Sequence, residues 1–324
     1  MSSEVQLKAA QSNSSKGAIA FVFPGSGSQC VGMCRDVYDR YGMARQVLSQ
    51  ADAILGFPLS ELCFEGPAEA LNDTWNAQPA MVACSLALLA ALHEQVGAEL
   101  LPAFVAGHST GEYTALVAAG ILDSPSALRL VRERARLMKK AGETKPGAMA
   151  AVLGLEADLL RSISAEVGDV WVANDNAPEQ VVISGTKPAV ERALQLAAGR
   201  GAKKAIPLAV NIASHCPLMA PATESLAAII AQLHLSQART PVVVNVSATA
   251  ISQPEEVRRE LVQHLTSPVR WVESVRYMIS HGVRTFVEVG PKNVLCGLIK
   301  RIDRSIRTVS IGSVADIQAW ETYG

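Results

Sequence analysis

The sequence predicts an α/β protein in which a smaller lobe is inserted into a discontinuous core. Three observations predict this fold class. Apolar strand patterns alternate with helical patterns towards both ends of the chain, and a compact β-α-β-β-α-β pattern interrupts them. In addition, 49% of the 324 residues are hydrophobic, enough for one large core and a small lobe. Ligands commonly bind at the border of two such lobes.

Composition excludes several classes of protein. Charged residues make up 18% of the chain and the formal net charge is −1, which argues against nucleic-acid binding. The six cysteines form no C-x-x-C pair and no zinc-like spacing, so we expect reduced thiols, no metal and no cofactor. Residues 1–17 are polar and serine-rich, which predicts a disordered tail. We also expect no run near the ~20 apolar residues of a membrane span, and hence a cytoplasmic protein away from membranes.

The first part of the core reads as two strand–helix units. "AIAFVF" predicts a buried strand that ends at the glycine-rich turn "PGSGSQ", and helical patterns follow through Ala70. "NAQPAMVACSLALLAALHEQVG" predicts a long apolar helix ended by Gly97. "PAFVAG" predicts a second buried strand, and "STGEYTALVAAG" a helix that stops at Gly120.

The order of predicted strands and helices changes over residues 143–212. In order, this segment predicts a strand (GAMAAVLGL), a helix (EADLLRSISAEVG), two strands (VWVAND and QVVISG), a helix (KPAVERALQLAAGRG) and a last strand (AKKAIPLAV). That order is the ferredoxin-like βαββαβ unit. The α/β texture then resumes with the strands "TPVVVNV" and "TFVEVG" and the helix "NVLCGLIKRI". We therefore assign residues 18–142 and 213–324 to the core and 143–212 to the small lobe.

The pentapeptide G-H-S-T-G places Ser109 where a predicted strand meets a predicted helix. This strand–G-x-S-x-G–helix pattern is typical of a nucleophile elbow, in which Gly107 and Gly111 allow a tight turn. The new helix also aims its N-terminal N–H groups and positive dipole end at the serine oxygen. Serine before a helix is equally a common N-cap, so the pentapeptide alone leaves both interpretations open.

A nucleophilic serine needs a base and an oxyanion hole. His215, in "NIASHCPLM", is the best base by context, because a strand-like segment there gives way to a proline-containing turn. His108 adjoins the serine and either orients a substrate carboxylate or packs. The Thr110 amide and the turn "FPGSGSQ" are candidates for the hole. That turn lacks both the G-K-[ST] of a phosphate loop and the third glycine of a dinucleotide fingerprint.

Arg134 restricts the substrate. In the predicted helix "SPSALRLVRERARLMKKAG", with Ser124 as cap, Arg134 lies within the apolar arc between Leu130 and Met138. A buried arginine must find an anion. That anion is either an internal carboxylate such as Glu112 or the carboxylate of a substrate. In the second case, serine and arginine together indicate acyl transfer from a dicarboxylic half-thioester.

The chain resembles the malonyl-CoA:acyl carrier protein transacylases, a family related to the acyltransferase domains of polyketide and fatty acid synthases. The resemblance extends over nearly the whole chain after the tail. It rests on ordered motifs: FVFPGSGSQCVGM, NAQPAMVACSLAL, GHSTGEYTALVAAGIL, LVRERARLM, NDNAPEQVVISG, SHCPLM, SPVRWVESV and VEVGPKNVLCGLIKRI. The fold it implies is an α/β-hydrolase-like core with a ferredoxin-like insert.

The resemblance also implies a role for each matching residue. Ser109 would accept the acyl group, His215 would be its base, and Arg134 would bind the malonyl carboxylate. The remaining implied positions are the amides of Ser26 and Thr110 in the oxyanion hole, His108 and Asn176 in substrate binding, and the backbone carbonyl of His264 as the group that orients His215. Three of these positions depart from the usual family residues, namely Ser26, Thr110 and His264, but the backbone supplies the function at each of them.

The implied reaction moves a malonyl group from malonyl-CoA to the phosphopantetheine thiol of acyl carrier protein, in fatty acid or polyketide biosynthesis. Alternatives are a serine acyl-thioesterase or editing hydrolase, a methylmalonyl-preferring transacylase, and a non-catalytic scaffold. Carrier protein is typically acidic, so a basic rim would favour docking. Candidates for that rim are Lys203, Lys204, Lys300, Arg301 and Arg304.

Overall fold

The computed structural model describes residues 17–97 and 100–320, so the predicted tail lies outside the described residues except for Gly17. Within these described residues, ten strands form two sheets. In chain order they are Ala18–Phe23 (β1), Phe104–Gly107 (β2), Gly147–Leu153 (β3), Val170–Ala177 (β4), Gln180–Thr186 (β5), Lys204–Pro207 (β6), Val242–Val243 (β7), Ala250–Ile251 (β8), Val283–Val289 (β9) and Arg307–Ile311 (β10).

Fourteen α-helices cover these sheets within the described part of the chain, together with a 3-10 turn at Pro217–Met219. The helices are Arg35–Arg40 (α1), Gly42–Leu55 (α2), Leu59–Glu65 (α3), Ala68–Asn72 (α4), Thr74–Val96 (α5), Gly111–Ala118 (α6), Ser124–Thr144 (α7), Ala157–Val167 (α8), Lys187–Gly199 (α9), Ala220–Ala231 (α10), Pro254–Gln263 (α11), Trp271–Ser280 (α12), Val294–Ile302 (α13) and Val314–Trp320 (α14).

The larger sheet has the strand order β10-β9-β1-β2-β7-β8 and is parallel except for β8. Phe21 and Phe23 of β1 pack into a core with α2, α5, α6 and α7, whereas Ala20 and Val22 face a second core with α12 and α13. Helices on both faces are characteristic of parallel sheets. Because Phe23 pairs with Gly107, the turns that follow β1 and β2 lie side by side at one edge.

The smaller sheet is antiparallel, with the order β4-β5-β3-β6, and α8 and α9 pack on it around a third core. The element order β-α-β-β-α-β matches the sequence prediction. β4 contacts the segment that precedes α12, where Asn174 forms a β-bridge with Val269 and the Val269 N–H donates to the Ala173 carbonyl. This connection brings the end of β4 against the carboxyl edge of the larger sheet.

The structure corrects four local expectations. Asp123, rather than Ser124, caps α7, since its carboxylate accepts the Ser126 N–H at 2.6 Å. The segment before His215 is irregular rather than strand-like, and the last strand of the lobe covers only Lys204–Pro207. Helix α5 is long and apolar enough to cross a membrane by length and composition, contrary to the expectation that no run approaches this length. Its apolar window is 72% buried inside the protein, so it is a core helix of this fold.

The glycines of the G-H-S-T-G turn are required by close backbone contacts. A Cβ on Gly107 would lie 2.0 Å from the carbonyl carbon of Gly111, and a Cβ on Gly111 would lie 2.0 Å from the Phe23 carbonyl oxygen. Both clashes are with backbone atoms, which cannot rotate away as a side chain can. β1, β2 and α6 therefore meet at a distance that only glycine permits.

We expect Gly111→Ala to lower the free energy of unfolding by about 3 kcal/mol, because the methyl group must push β1 away from α6. Gly199→Ala is the matched control, since a Cβ there meets nothing within 4 Å and Gly199 lies in α9. It should leave stability unchanged or raise it by at most about 1 kcal/mol. Urea unfolding of both variants measures this, and equal stabilities would contradict the close contact.

Candidate active site

Ser109 lies in the turn between β2 and α6 and adopts a left-handed backbone conformation with a φ of 50°. Such a φ costs a non-glycine residue of order 1–3 kcal/mol and persists only where the surroundings impose it. Here the Ser109 N–H donates to Asn245 Oδ1 at 2.8 Å, and the Ser109 carbonyl accepts the Glu112 N–H at 3.0 Å. The strand–turn–helix arrangement predicted from the pentapeptide is present.

His215 lies within hydrogen-bond distance of the serine. Its Nε2 is 2.8 Å from Ser109 Oγ, and its Nδ1 is 3.1 Å from the carbonyl oxygens of both His264 and Ser267. Two carbonyl acceptors at Nδ1 require the proton to be on that nitrogen, so Nε2 accepts from the serine hydroxyl. The His264 carbonyl is therefore where the sequence resemblance implied it, and Ser267 supplies a second acceptor that sequence reasoning missed.

The environment keeps His215 neutral. It is only 4% exposed, and burial, followed by the positive charge of Arg134 and the neighbouring His108, lowers its pKa to about 3. Burial likewise lowers the pKa of His108. A neutral imidazole can accept a proton from serine, as a general base must.

His108 and Asn176 contact each other across the border of the two sheets. His108 Nε2 is 2.7 Å from Asn176 Oδ1, so this nitrogen carries a proton and donates it. The His108 ring also packs edge-on against Trp271, with 5.6 Å between ring centroids. The structure thus brings both predicted substrate-binding residues to the same edge as Ser109, and their contact with substrate stays a prediction.

Arg134 is 1% exposed and has no carboxylate within ion-pair distance among residues 17–97 and 100–320. Its Nη1 donates to Gln78 Oε1 at 2.5 Å and to Thr110 Oγ1 at 3.4 Å, and its Nη2 donates to Ser109 Oγ at 3.4 Å. Its Nε has no described partner. The internal salt bridge with Glu112 is not formed, and Glu112 Oε2 accepts the Asn245 N–H.

Burial shifts the pKa of each of the other ionisable groups behind the serine towards its uncharged form. Burial and the nearby Glu260 raise the pKa of Glu112 well above its ordinary value, and burial raises that of Glu260 to about 7. Burial, followed by the charges of Arg134 and His215, lowers the pKa of His264 far below its ordinary value. The guanidinium of Arg134 is thus buried among groups whose pKa values are shifted towards their uncharged forms, which favours the binding of an anion beside it.

The Thr110 amide is free to bind an oxyanion. The flanking amides are occupied, because that of Ser109 donates to Asn245 and that of Gly111 to the His108 carbonyl, whereas the Thr110 N–H has no acceptor among the described residues. The turn after β1 lies against this amide, since a Cβ on Gly25 would be 3.5 Å from the Thr110 nitrogen. Ser26, the second predicted donor, is the next residue of that turn and is exposed.

Besides Ser267, sequence reasoning missed two polar residues of the site, Gln78 and Asn245. Gln78 lies on α5 and is the buried hydrogen-bond acceptor for Arg134. The feature of the sequence that could have indicated it is a polar side chain beside a proline in an otherwise apolar helix. Asn245 follows β7, and its signal was an asparagine at the carboxyl end of the apolar run "PVVVN". Among the described residues, no group of three His, Cys, Asp or Glu side chains could hold a metal ion.

The fold and this site define an enzyme that transfers acyl groups, and comparison with known proteins identifies the family. Residues 20–319 match the model of the acyl transferase domain, so the chain belongs to this family. The malonyl CoA-acyl carrier protein transacylase of Bacillus subtilis (strain 168) is 42% identical over 304 residues, which cover 93% of this chain and 95% of that protein.

Solved structures give the same result. An acyl carrier protein S-malonyltransferase from Vibrio cholerae superposes with a TM-score of 0.90 at 42% identity, covering 94% of this chain and 99% of that one. A malonyl-transacylase solved in complex with its type II PKS acyl-carrier protein superposes with a TM-score of 0.91 at 39% identity, covering 95% of this chain and 100% of that one. These relatives share the mixed α/β fold over nearly their full length.

Replacing His264 by glutamine should change how stability depends on pH. In the wild type, His264 stays neutral when folded but binds a proton when unfolded below about pH 6.5, so stability is lost as pH falls. His264→Gln keeps the backbone carbonyl and removes this loss. Its stability relative to wild type should rise by up to about 1.4 kcal/mol per pH unit from pH 6.5 to 5.

Urea unfolding at pH 5, 6 and 7 measures this difference. The carboxyls of Glu112 and Glu260 are present in both proteins, so their own titration largely cancels in the comparison. Parallel stability curves for wild type and variant would show that His264 titrates normally in the folded protein.

Proposed function

We propose that this chain transfers a malonyl group from malonyl-CoA to the phosphopantetheine thiol of an acyl carrier protein, through a malonyl ester of Ser109. The observation that carries the proposal is the buried guanidinium of Arg134, which lacks a carboxylate partner among the described residues and lies 3.4 Å from the Ser109 hydroxyl. The names of relatives that match along more than nine-tenths of the chain support the same substrate and acceptor.

In the acylation step, Ser109 Oγ attacks the thioester carbonyl while its proton passes to Nε2 of His215. The carbonyl oxygen becomes an oxyanion, for which the amides of Thr110 and Ser26 are the proposed donors. When the carbon–sulfur bond breaks, the imidazolium returns the proton to the leaving CoA sulfur. The products are malonyl-Ser109 and free CoA.

In the transfer step, the pantetheine thiol gives its proton to His215 and attacks the malonyl ester. The carbon–oxygen bond to Ser109 then breaks, and the serine oxygen recovers a proton from His215. The carbonyls of His264 and Ser267 hold the imidazole in one tautomer during both steps, because Nδ1 donates to them throughout.

Arg134 is the proposed selectivity group. In a malonyl thioester the carbon of the free carboxylate is two bonds from the reacting carbonyl carbon. Nη2 of Arg134 lies 3.4 Å from Ser109 Oγ, so the guanidinium is within reach of a carboxylate that is this near to the reacting carbon. Gln78 orients the guanidinium without neutralising it. The carboxylate of the substrate would supply the missing negative charge, which an acetyl group cannot do.

We further propose the domain division inferred from the sequence, with a hydrolase-like core (18–142 and 213–324) and a ferredoxin-like lobe (143–212). The unbroken run of β3 to β6 in one antiparallel sheet and the elbow at Ser109 support it.

A cytoplasmic location is proposed from the cysteines. Five of the six are buried and all six are unpaired, which fits the reducing cytoplasm.

A serine hydrolase would share Ser109 and His215 but would not need Arg134. The names of the relatives favour transfer over hydrolysis. Transfer requires that the ester survive until a thiol arrives, and the burial of His215 limits the water that it can activate.

Intact mass spectrometry after brief mixing with malonyl-, methylmalonyl- or acetyl-CoA tests the proposed function. The wild type should gain a malonyl adduct that holo acyl carrier protein removes, and Ser109→Ala should lose adduct and transfer by at least about 10⁴-fold. Ser162→Ala, an exposed serine on α8, is the control. Release of CoA with no adduct and no transfer would favour the hydrolase instead.

Arg134→Ala should lower acylation by malonyl-CoA much more than acylation by acetyl-CoA. Loss of one partner of a buried charge pair costs about 2–5 kcal/mol, which corresponds to about 30-fold or more in the ratio of the two rates. Arg136→Ala, which removes an exposed pair with Glu133, should leave the ratio unchanged. Equal losses for both thioesters would exclude Arg134 as the carboxylate-binding group.

A further inference from the structure

We propose that Asn245 is a positioning residue that fixes the backbone of the Ser109 elbow, so that the hydroxyl and the Thr110 amide are both presented to the substrate. The inference deepens the proposed function and rests on it, because it concerns the same serine. Asn245 is 1% exposed and does not reach the substrate side of the site, so it acts through Ser109.

The side chain of Asn245 binds both ends of the turn. Its Oδ1 accepts the N–H of Ser109 at 2.8 Å, and its Nδ2 donates to the carbonyl of Gly107 at 2.6 Å. One planar amide thus satisfies a donor and an acceptor two residues apart, which specifies the turn more narrowly than a single bond would.

The sheet explains why a side chain is needed at this point. β7 pairs with β2 only at Val105–Val242 and Ala106–Val243, and the ladder ends there. Gly107 and Ser109 lie beyond its end, where no described strand supplies backbone partners on that side. The Asn245 amide takes over the pairing that β7 no longer provides, and buried backbone groups need such a partner.

Asn245 is itself held on both sides. Its own N–H donates to Glu112 Oε2 at 2.7 Å, and its carbonyl accepts the Arg270 N–H at 3.2 Å. Because Glu112 lies in the first turn of α6, the asparagine connects the start of that helix to the end of β2. A shift of Asn245 would therefore shift the turn and the helix together.

The two hydrogen bonds from the Asn245 side chain to Ser109 and Gly107, called the clamp here, have a consequence for catalysis. With the Ser109 N–H directed into the protein towards Asn245, the next amide, that of Thr110, remains free for the oxyanion. The same orientation holds Ser109 Oγ 2.8 Å from His215 Nε2 in spite of the left-handed φ. Relaxation of the turn would displace nucleophile and amide donor at once, while leaving Arg134 and Gln78 in place to bind malonyl-CoA.

The test compares Asn245→Ala and Asn245→Asp with wild type in single-turnover acylation by malonyl-CoA. For Asn245→Ala we expect the maximal rate to fall at least about 100-fold, the usual effect of misplacing a reacting group by about 1 Å. The half-saturating concentration should change less than about threefold. Asn245→Asp keeps the shape and the acceptor for the Ser109 amide, so its loss should be smaller.

A second measurement uses phenylmethylsulfonyl fluoride, which needs no carboxylate site. Ser109 Oγ forms a bond to sulfur, the sulfur–fluorine bond breaks, fluoride leaves, and the hydroxyl proton passes to His215. The rate of sulfonylation of Asn245→Ala should fall by a factor similar to that of acylation. Ser274→Ala is the matched control, because it removes a buried hydroxyl from α12 that contacts the Val244 carbonyl but not the elbow.

Each result has one meaning when rates are corrected for the folded fraction by circular dichroism. The clamp is overturned if the variants react within threefold of wild type, or if only their half-saturating concentration of malonyl-CoA rises while the maximal rate is unchanged. Either result leaves the proposed function standing. If wild type is sulfonylated but gains no malonyl adduct, the proposed function fails, and the sulfonylation rates still decide the clamp. If Asn245→Ala does not fold, Asn245→Asp decides, because it still removes the Nδ2 bond to the Gly107 carbonyl: a fall of more than threefold in both the acylation and the sulfonylation rate supports the clamp, and rates within threefold of wild type overturn it.

Discussion

The buried charge of Arg134 is the constraint on which the rest of the site depends. Its described hydrogen-bond partners are neutral oxygens, so the charge is not cancelled and acts on the histidines around it. Burial and this charge together lower the pKa of His215 to about 3. Glu112 is nearby, but burial raises its pKa and so favours its uncharged form. Among the described residues no carboxylate pairs with the arginine, and in the proposed function the carboxylate of the substrate would complete the pair. Burying a charge in this way is costly, which argues for a functional reason.

Backbone geometry supplies the other half of the arrangement. The carboxyl ends of β1 and β2 lie side by side because the strands are parallel and Phe23 is in register with Gly107. Gly107 and Gly111 let helix and sheet approach until only hydrogen fits between them. The close approach requires Ser109 to adopt a left-handed backbone conformation, which is unfavourable for a serine. The hydrogen bond from its N–H to Asn245 Oδ1 helps to offset this cost.

Much of this could be predicted from sequence, and the failures have physical reasons. β1 and β2 are short continuous apolar runs bounded by turn residues, and α7 carries a clear helical period that by itself places Arg134 on its buried face. The predicted strand "TPVVVNV" contains β7, but only Val242 and Val243 pair in the sheet, and β8, β10 and α14 were not predicted. Gln78 and Asn245 were missed because their partners lie 56 and 136 residues away, and no local pattern encodes such a pairing.

The apolar helix α5 has a consequence for how the chain is made. In the finished protein α5 is covered by α2 on one side and α7 on another. On the ribosome α2 precedes α5, but α7 is complete only when Thr144 has been added, long after Val96. At ordinary rates of translation this leaves an uncovered helix for seconds. During that interval the nascent chain carries an apolar segment with the length and composition of a membrane span, which α7 and the other later elements that pack against α5 then cover.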